Sequence, residues 1–150
     1  MSTTKTLTRA LILCAATMAL SSAYAQMSPV GQWHSMDDKT GELKSLIVIT
    51  DTGGVLNGRI DKLLRKEADQ KAVCKECRDE RKDKPMLGLE IIRGAKQLEG
   101  KEVWEGGKIL DPENGKEYTL RLTPIEGGKK LEERGSSAFF GRTQTWVRVQ

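Results

Sequence analysis

The chain has 150 residues, 25 of them Lys or Arg and 21 Asp or Glu, for a formal net charge of +4, with aromatic residues at 5%. That length suits one hydrophobic core and leaves little room for a second domain. Charges of both signs are interspersed, which is the solvated face of a small domain and lacks the one-sided basic surface that nucleic-acid binding requires.

Taken in order, the first 25 residues read as an export signal. Lys5 and Arg9 precede an apolar run from Ala10 to Leu20, and Ala23-Tyr24-Ala25 is a small-x-small cleavage site. A run of eleven residues falls short of the roughly 20 needed to span a bilayer, so no integral membrane span is expected. Leu13 is too bulky to precede a lipid-bearing Cys14. Cleavage leaves residues 26–150 as one domain, periplasmic or secreted. Lys5 and Arg9 go with the signal, so 23 basic residues face 21 acidic ones and the net charge falls to +2.

From Val30 onward apolar and polar residues alternate, and Gly, Asp and Asn clusters interrupt them at the spacing of a sandwich or barrel. Strands are predicted at Val30 to Met36, Lys44 to Thr50 and Val55 to Leu63, the last with Leu56, Gly58 and Ile60 inward. Gly58 in mid-strand suggests a bend or the close approach of another backbone. Further strands follow at Met86 to Arg93, at Gly100 to Leu110 with a bulge at Gly106-Gly107, at Lys116 to Pro124, at Lys129 to Arg134 and at Thr143 to Val149. In the sixth, Tyr118, Leu120 and Leu122 face inward. Asp111-Pro112-Glu113-Asn114-Gly115 is the strongest turn signal. The fold class is all-β, an antiparallel up-and-down barrel of about eight strands.

Leu64 to Lys84 breaks the rhythm: the 20 residues after Leu64 hold eight basic and six acidic side chains. Few apolar residues make it a surface excursion, with a short helical turn predicted over Lys66 to Lys71. It also holds Cys74 and Cys77, the pair left once Cys14 is removed, and an even pair in an oxidising compartment reads as a disulfide. So small a ring contributes about 2 kcal/mol at best. Redox use of the pair would need a helix N-terminus in a βαβ setting, which is missing.

The ordered set Gly31-x-Trp33, Lys84-Pro85-Met86-Leu87-Gly88-Leu89, Trp104 through Tyr118, Arg134-Gly135 and Gly141-Arg142-Thr143-Gln144-Thr145-Trp146-x-Arg148 resembles domain-of-unknown-function family 2147, exported bacterial proteins. The resemblance covers nearly all of the mature chain and implies a lipocalin-like barrel, bacterial export and no established activity. Many members carry an Asp-rich, Asn-Pro-containing segment where this chain has Cys74-Lys75-Glu76-Cys77, so roles tied to that segment do not transfer. More widely, lipocalins and avidin-like barrels open on Gly-x-Trp and pack an Arg from the last strand across the indole. Trp33 with Arg148 or Arg142 fits that arrangement. The second lipocalin signature, Thr-Asp-Tyr, and a C-terminal helix are absent, which implies a shorter barrel with a small or filled cavity.

The residue reading then separates seam from site. Trp33, Trp146 and Arg148 are expected to close the barrel. Trp104 beside its Gly-Gly bulge, Tyr118 and Arg134 are the candidate ligand contacts, with wall and seam ion pairs the alternative for Arg134, Arg142 and Arg148. His34, the single histidine, has no acid or Cys neighbours at ligand spacing, so no metal and no cofactor are implied. Asp111 to Gly115 is accounted for by a hairpin turn without calcium. No nucleophile, paired-carboxylate or phosphate-loop arrangement stands out, and no enzyme activity is expected. The leading expectation is a binder of a small apolar or amphipathic ligand in the barrel mouth, recognisable by a cavity of about 300 Å³ or more. The alternatives are an envelope interaction module acting through residues 64–84 with an unknown protein partner, and thiol-disulfide exchange at Cys74 and Cys77.

Overall fold

The computed structural model describes residues 27–149; the expected export signal lies outside the described residues. Eight antiparallel strands follow one another around a closed barrel: β1 (Gly31–Met36), β2 (Leu43–Thr52), β3 (Val55–Leu63), β4 (Glu90–Gln97), β5 (Trp104–Asp111), β6 (Lys116–Ile125), β7 (Lys130–Ser136) and β8 (Gly141–Arg148). Each strand pairs with its successor, and β8 returns to β1 through Trp33 opposite Arg148 and His34 opposite Val147. Closure removes the open edges that would otherwise template aggregation.

Alternation produces the wall as expected. On β3, Leu56, Gly58 and Ile60 are buried while Arg59 between them is exposed. The lumen is filled from several strands by Trp33, Ile47, Leu56, Ile92, Leu120 and Leu131, all nearly inaccessible to solvent. Burying each such side chain is worth about 1.5–3 kcal/mol, so the wall is held chiefly by its inward face. Gly58 is flanked by register shifts against β4, and a Cβ there would press on the Ile92 side chain at 3.0 Å. The crowding comes from a side chain, where the sequence suggested a backbone.

Three segments differ from expectation. The strand expected at Met86 to Arg93 begins only at Glu90. Before it, the backbone turns so that Gly88 N donates to Ile60 O and Ile60 N donates to Leu89 O; Leu89 is buried and Leu87 is left exposed. The next strand starts at Trp104, because residues 98–103 form a turn closed by Leu98 N donating to Val103 O. The Gly-Gly bulge is present between Glu105 and Gly107. A Cβ on Gly107 would lie 2.5 Å from both Ala95 N and Arg93 O, so only glycine lets β4 and β5 approach there. Finally, Lys66 to Lys71 forms separate turns, not a helix. Ala68 N bonds Arg65 O and Ala72 N bonds Asp69 O, too few contacts to propagate a helix. The helical element among the described residues is a single 3₁₀ turn at Glu126–Gly128.

The two barrel ends are built differently. At one end the β2–β3, β4–β5 and β6–β7 turns surround the Trp33 seam. Trp33 is fully buried, its Nε1 donates to Pro29 O at 2.7 Å, and the Arg148 guanidinium lies 4.1 Å from its ring centroid. Arg148 also donates to Gly128 O, Val30 O and Ser28 O at 2.6, 2.9 and 2.6 Å. One planar fork therefore ties three backbone carbonyls over the indole, a task its geometry suits.

At the other end lie the connections 37–42, 64–89, 112–115 and 137–140. Residues 64–89 form a strap drawn onto the barrel. Arg65 pairs with Asp37 and Glu113, each at 2.7 Å. Arg81, nearly inaccessible to solvent, pairs with Asp79 at 2.5 Å and Glu117 at 2.6 Å and donates to Glu90 O at 3.0 Å. Cys74 and Cys77 are joined by a disulfide and are buried within the core cluster. The expectation that this charged segment stays outside the core is corrected: its cysteines pack inward while Arg65 and Arg81 pair with carboxylates at the rim. Gly115, with φ +68°, fits beneath it, since a Cβ there would lie 1.8 Å from Glu76 O.

Candidate functional site: a cavity at the strapped end

The Trp33 end is packed, and the lumen beneath the strapped end is not. A cavity of about 240 Å³ opens there. Ile47, Ile60, Ile91, Ile109 and Trp146 supply its apolar floor, and Tyr118 and Phe140 stand toward its rim. Their rings contact each other at 6.5 Å between centroids. Phe140 and its neighbour Phe139 are exposed at the tip of the β7–β8 connection.

The polar lining groups fall into two kinds. Most already have partners within the protein. The Ser35 and Ser45 hydroxyls lie 2.8 Å apart. Lys44 Nζ reaches Glu113 Oε2 at 3.1 Å and Arg142 Nη2 reaches Asp38 Oδ2 at 2.5 Å, so both cationic side chains are engaged by carboxylates. Gln144 donates to Asp38 as well. The Asp111 carboxylate caps its own turn, accepting from Glu113 N and the Asn114 amide.

Two groups are different. Glu133 is 5% exposed, lines the cavity and receives no hydrogen bond on its carboxyl from the described residues. Burial pushes its carboxyl up to about 7 from an ordinary 4.5; the charge of Arg142 opposes the rise, and those of Asp38 and Asp111 add to it. Trp146 is 2% exposed, and its indole N–H is buried without a hydrogen-bond partner. Both sit on one wall. Glu133 lies opposite Gln144 across the β7–β8 ladder, and Trp146 lies opposite Leu131, one inward step away. Residues so related are diagonal neighbours, about 7–8 Å apart. Buried polar groups are nearly always satisfied, which makes the unpaired Glu133 carboxyl on the cavity wall unusual; the Trp146 N–H is unpaired too, but it is closed off from the cavity space.

The expected site residues are distributed around the barrel. Tyr118 lines the cavity. Trp104 is 7% exposed and paired with Gln97 and Leu122 near the opposite end, away from the cavity. Arg134 is on the outer face of β7, exposed, and donates to Thr143 Oγ1 at 3.2 Å. Arg148 and Trp33 meet at the seam, while Trp146, placed with them in the sequence reading, lies on the cavity floor. The sequence reading missed Glu133, although the period was there to find it: Leu131, Glu133 and Gly135 are alternate residues, and all three are buried.

Comparison with known proteins agrees with this architecture. Residues 31–148 match the family model DUF2147, described as "Uncharacterized protein conserved in bacteria". No curated protein sequence matches the chain. Among solved structures, the chain is similar to HP1028 from Helicobacter pylori, described as belonging to the lipocalin family. The TM-score is 0.67 at 17% identity, covering 81% of this chain and 82% of that one. At that identity the likeness speaks to the fold, a lipocalin-like barrel.

Proposed function

The chain belongs to the DUF2147 family, and from that premise we propose that it is an exported binding protein whose barrel takes a small amphipathic molecule at the strapped end. The observation that carries this reading is the contrast between the two halves of the lumen. One half is filled by Trp33 and its neighbours, while the other keeps about 240 Å³ open above an apolar floor with polar groups at its side. A barrel of eight strands has room for one small ligand and little else. At about 240 Å³ the space falls short of the roughly 300 Å³ expected of such a binder and below the roughly 300–1,000 Å³ of drug-sized sites, yet the lumen is not packed, so the ligand is compact and not a long acyl chain. The likeness to HP1028 supports the barrel in which such a molecule would sit.

The strap has a supporting part in this reading. Its ion pairs to Asp37, Glu113 and Glu117 hold the rim of the cavity in place. Thiol exchange fits less well, because Cys74 and Cys77 are nearly inaccessible to solvent and exchange requires an attacking thiolate to reach a sulfur. Native mass spectrometry of protein purified from its own host tests the proposal. A co-purifying small molecule, released on denaturation, is the expected result. Ligand-free protein, together with no change in Trp fluorescence on titration with small amphiphiles, would overturn it.

A further inference from the structure

We propose that the ligand is a compact cation: a protonated amine on a small apolar body, with its ammonium on Glu133. This rests on the reading of the cavity as a binding site and names the chemistry that it takes.

The argument begins with the charges that are already spent. Four ionisable side chains other than tyrosine line the cavity: Lys44, Asp111, Glu133 and Arg142. Lys44 is neutralised by Glu113, Arg142 by Asp38, and the Asp111 oxygens are taken by its own turn. Glu133 alone among them has no hydrogen bond or ion pair to its carboxyl. An anionic guest, such as a carboxylic acid, would meet that carboxylate and find both cations occupied. A cationic guest would satisfy the one uncommitted charge. Burying an unpaired carboxylate is costly and a charge-assisted partner offsets that cost, so the site discriminates by sign.

The rest of the lining fixes the body of the guest: Glu133 stands beside a floor made of isoleucines and the Trp146 ring, which suits a small apolar group behind the ammonium. The remaining space equals about eight water molecules at ~30 Å³ each, the size of a phenylalkyl or branched alkyl amine.

The test uses the intact mature protein and three probes of one shape: phenethylamine, phenethyl alcohol and phenylacetate. Affinities are read by calorimetry and by ligand-observed NMR, for the wild type and Glu133→Gln, with circular dichroism showing that both are folded. The wild type is expected to bind the amine about tenfold or more above the alcohol, in line with a charge-assisted hydrogen bond of about 1.5–3 kcal/mol, and to bind phenylacetate least. Glu133→Gln should level amine and alcohol while leaving alcohol binding intact. Alcohol or phenylacetate binding as well as the amine, or a preference that survives Glu133→Gln, would overturn the cation assignment while the cavity still binds. No binding of any probe, with nothing co-purifying, would remove the binding site itself and this assignment with it.

Discussion

Removing the carboxylate at Glu133 should stabilise the ligand-free protein, and by an amount that depends on pH in a defined way. The side chain is 5% exposed, and its carboxyl is raised to about 7 from 4.5. At about 1.4 kcal/mol per pH unit, that difference corresponds to about 3 kcal/mol. The sign follows from which state holds the proton more tightly. Below about 4.5 both folded and unfolded chains carry a neutral acid and nothing is lost. Between 4.5 and 7 the unfolded chain ionises while the folded one resists, so stability falls as pH rises; above 7 the loss is complete. Glu133→Gln keeps the shape and cannot ionise. Its stability relative to the wild type should therefore be nearly flat up to about pH 4 and climb to about 3 kcal/mol by about pH 8, or about 10 °C in Tm for a domain of this size. Urea unfolding of both proteins across that range, after stripping any bound molecule by refolding, measures it. Other titrating groups cancel in the difference. Parallel pH profiles would show that Glu133 ionises in the folded state as it does in water, and the description of its surroundings would be wrong.

At the opposite end, Arg148→Ala should cost about 4 kcal/mol, from three carbonyl hydrogen bonds at about 1 kcal/mol each and the indole contact at 0.5–2 kcal/mol. Arg148→Lys should recover less than half of that, because an ammonium cannot fork across three carbonyls; chemical denaturation reads both. Gly115→Ala should push the strap off the rim, costing about 2 kcal/mol or more and raising hydrogen exchange within residues 64–89 while β1 to β3 stay protected. Replacing Cys74 and Cys77 by Ser should lower stability by about 2 kcal/mol and leave probe binding measurable by calorimetry. In acid, Asp79 and Asp37 are each held down to about 2. Arg81 does so first for Asp79, and the backbone N–H of Thr40 does so first for Asp37. Their contributions are present above 3.8 and vanish as pH falls through 2, so hydrogen exchange should rise in that window in the 37–42 turn for Asp37 and in the strap around Arg81 for Asp79, ahead of the barrel wall.

Periodicity made the wall legible because burial on a strand is a local pattern. Leu120 and Leu122 announce their face by alternating with charged or hydroxyl neighbours, and the structure buries both. What lay beyond reach depended on partners far along the chain. Arg81 looks like one more solvated charge until Glu117, 36 residues later, is brought to it. Gly115 looks like an ordinary turn glycine until the Glu76 carbonyl is laid on it. The start of β4 was misplaced because Leu87 and Leu89 continue the alternation while the hydrogen bonds of that stretch are spent on a turn. The bulge beside Trp104 points to the mouth, yet a bulge does not say at which end of the barrel it sits. Glu133 was overlooked for a different reason. A carboxylate between Leu131 and Gly135 is read by default as outward, and only an unfilled lumen makes room for it inside.

The pairing of Trp33 with Arg148 has a temporal side. Two segments separated by more than a hundred positions must find each other before the tube exists, and contacts of such long range make folding slow. A nascent polypeptide emerging from its first strand onward can assemble hairpins as it lengthens, but it cannot shut until β8 has been made. The final clasp, an arginine laid over an indole, is thus a step reserved for a finished molecule, and it completes the wall behind a cavity whose mouth lies at the other end.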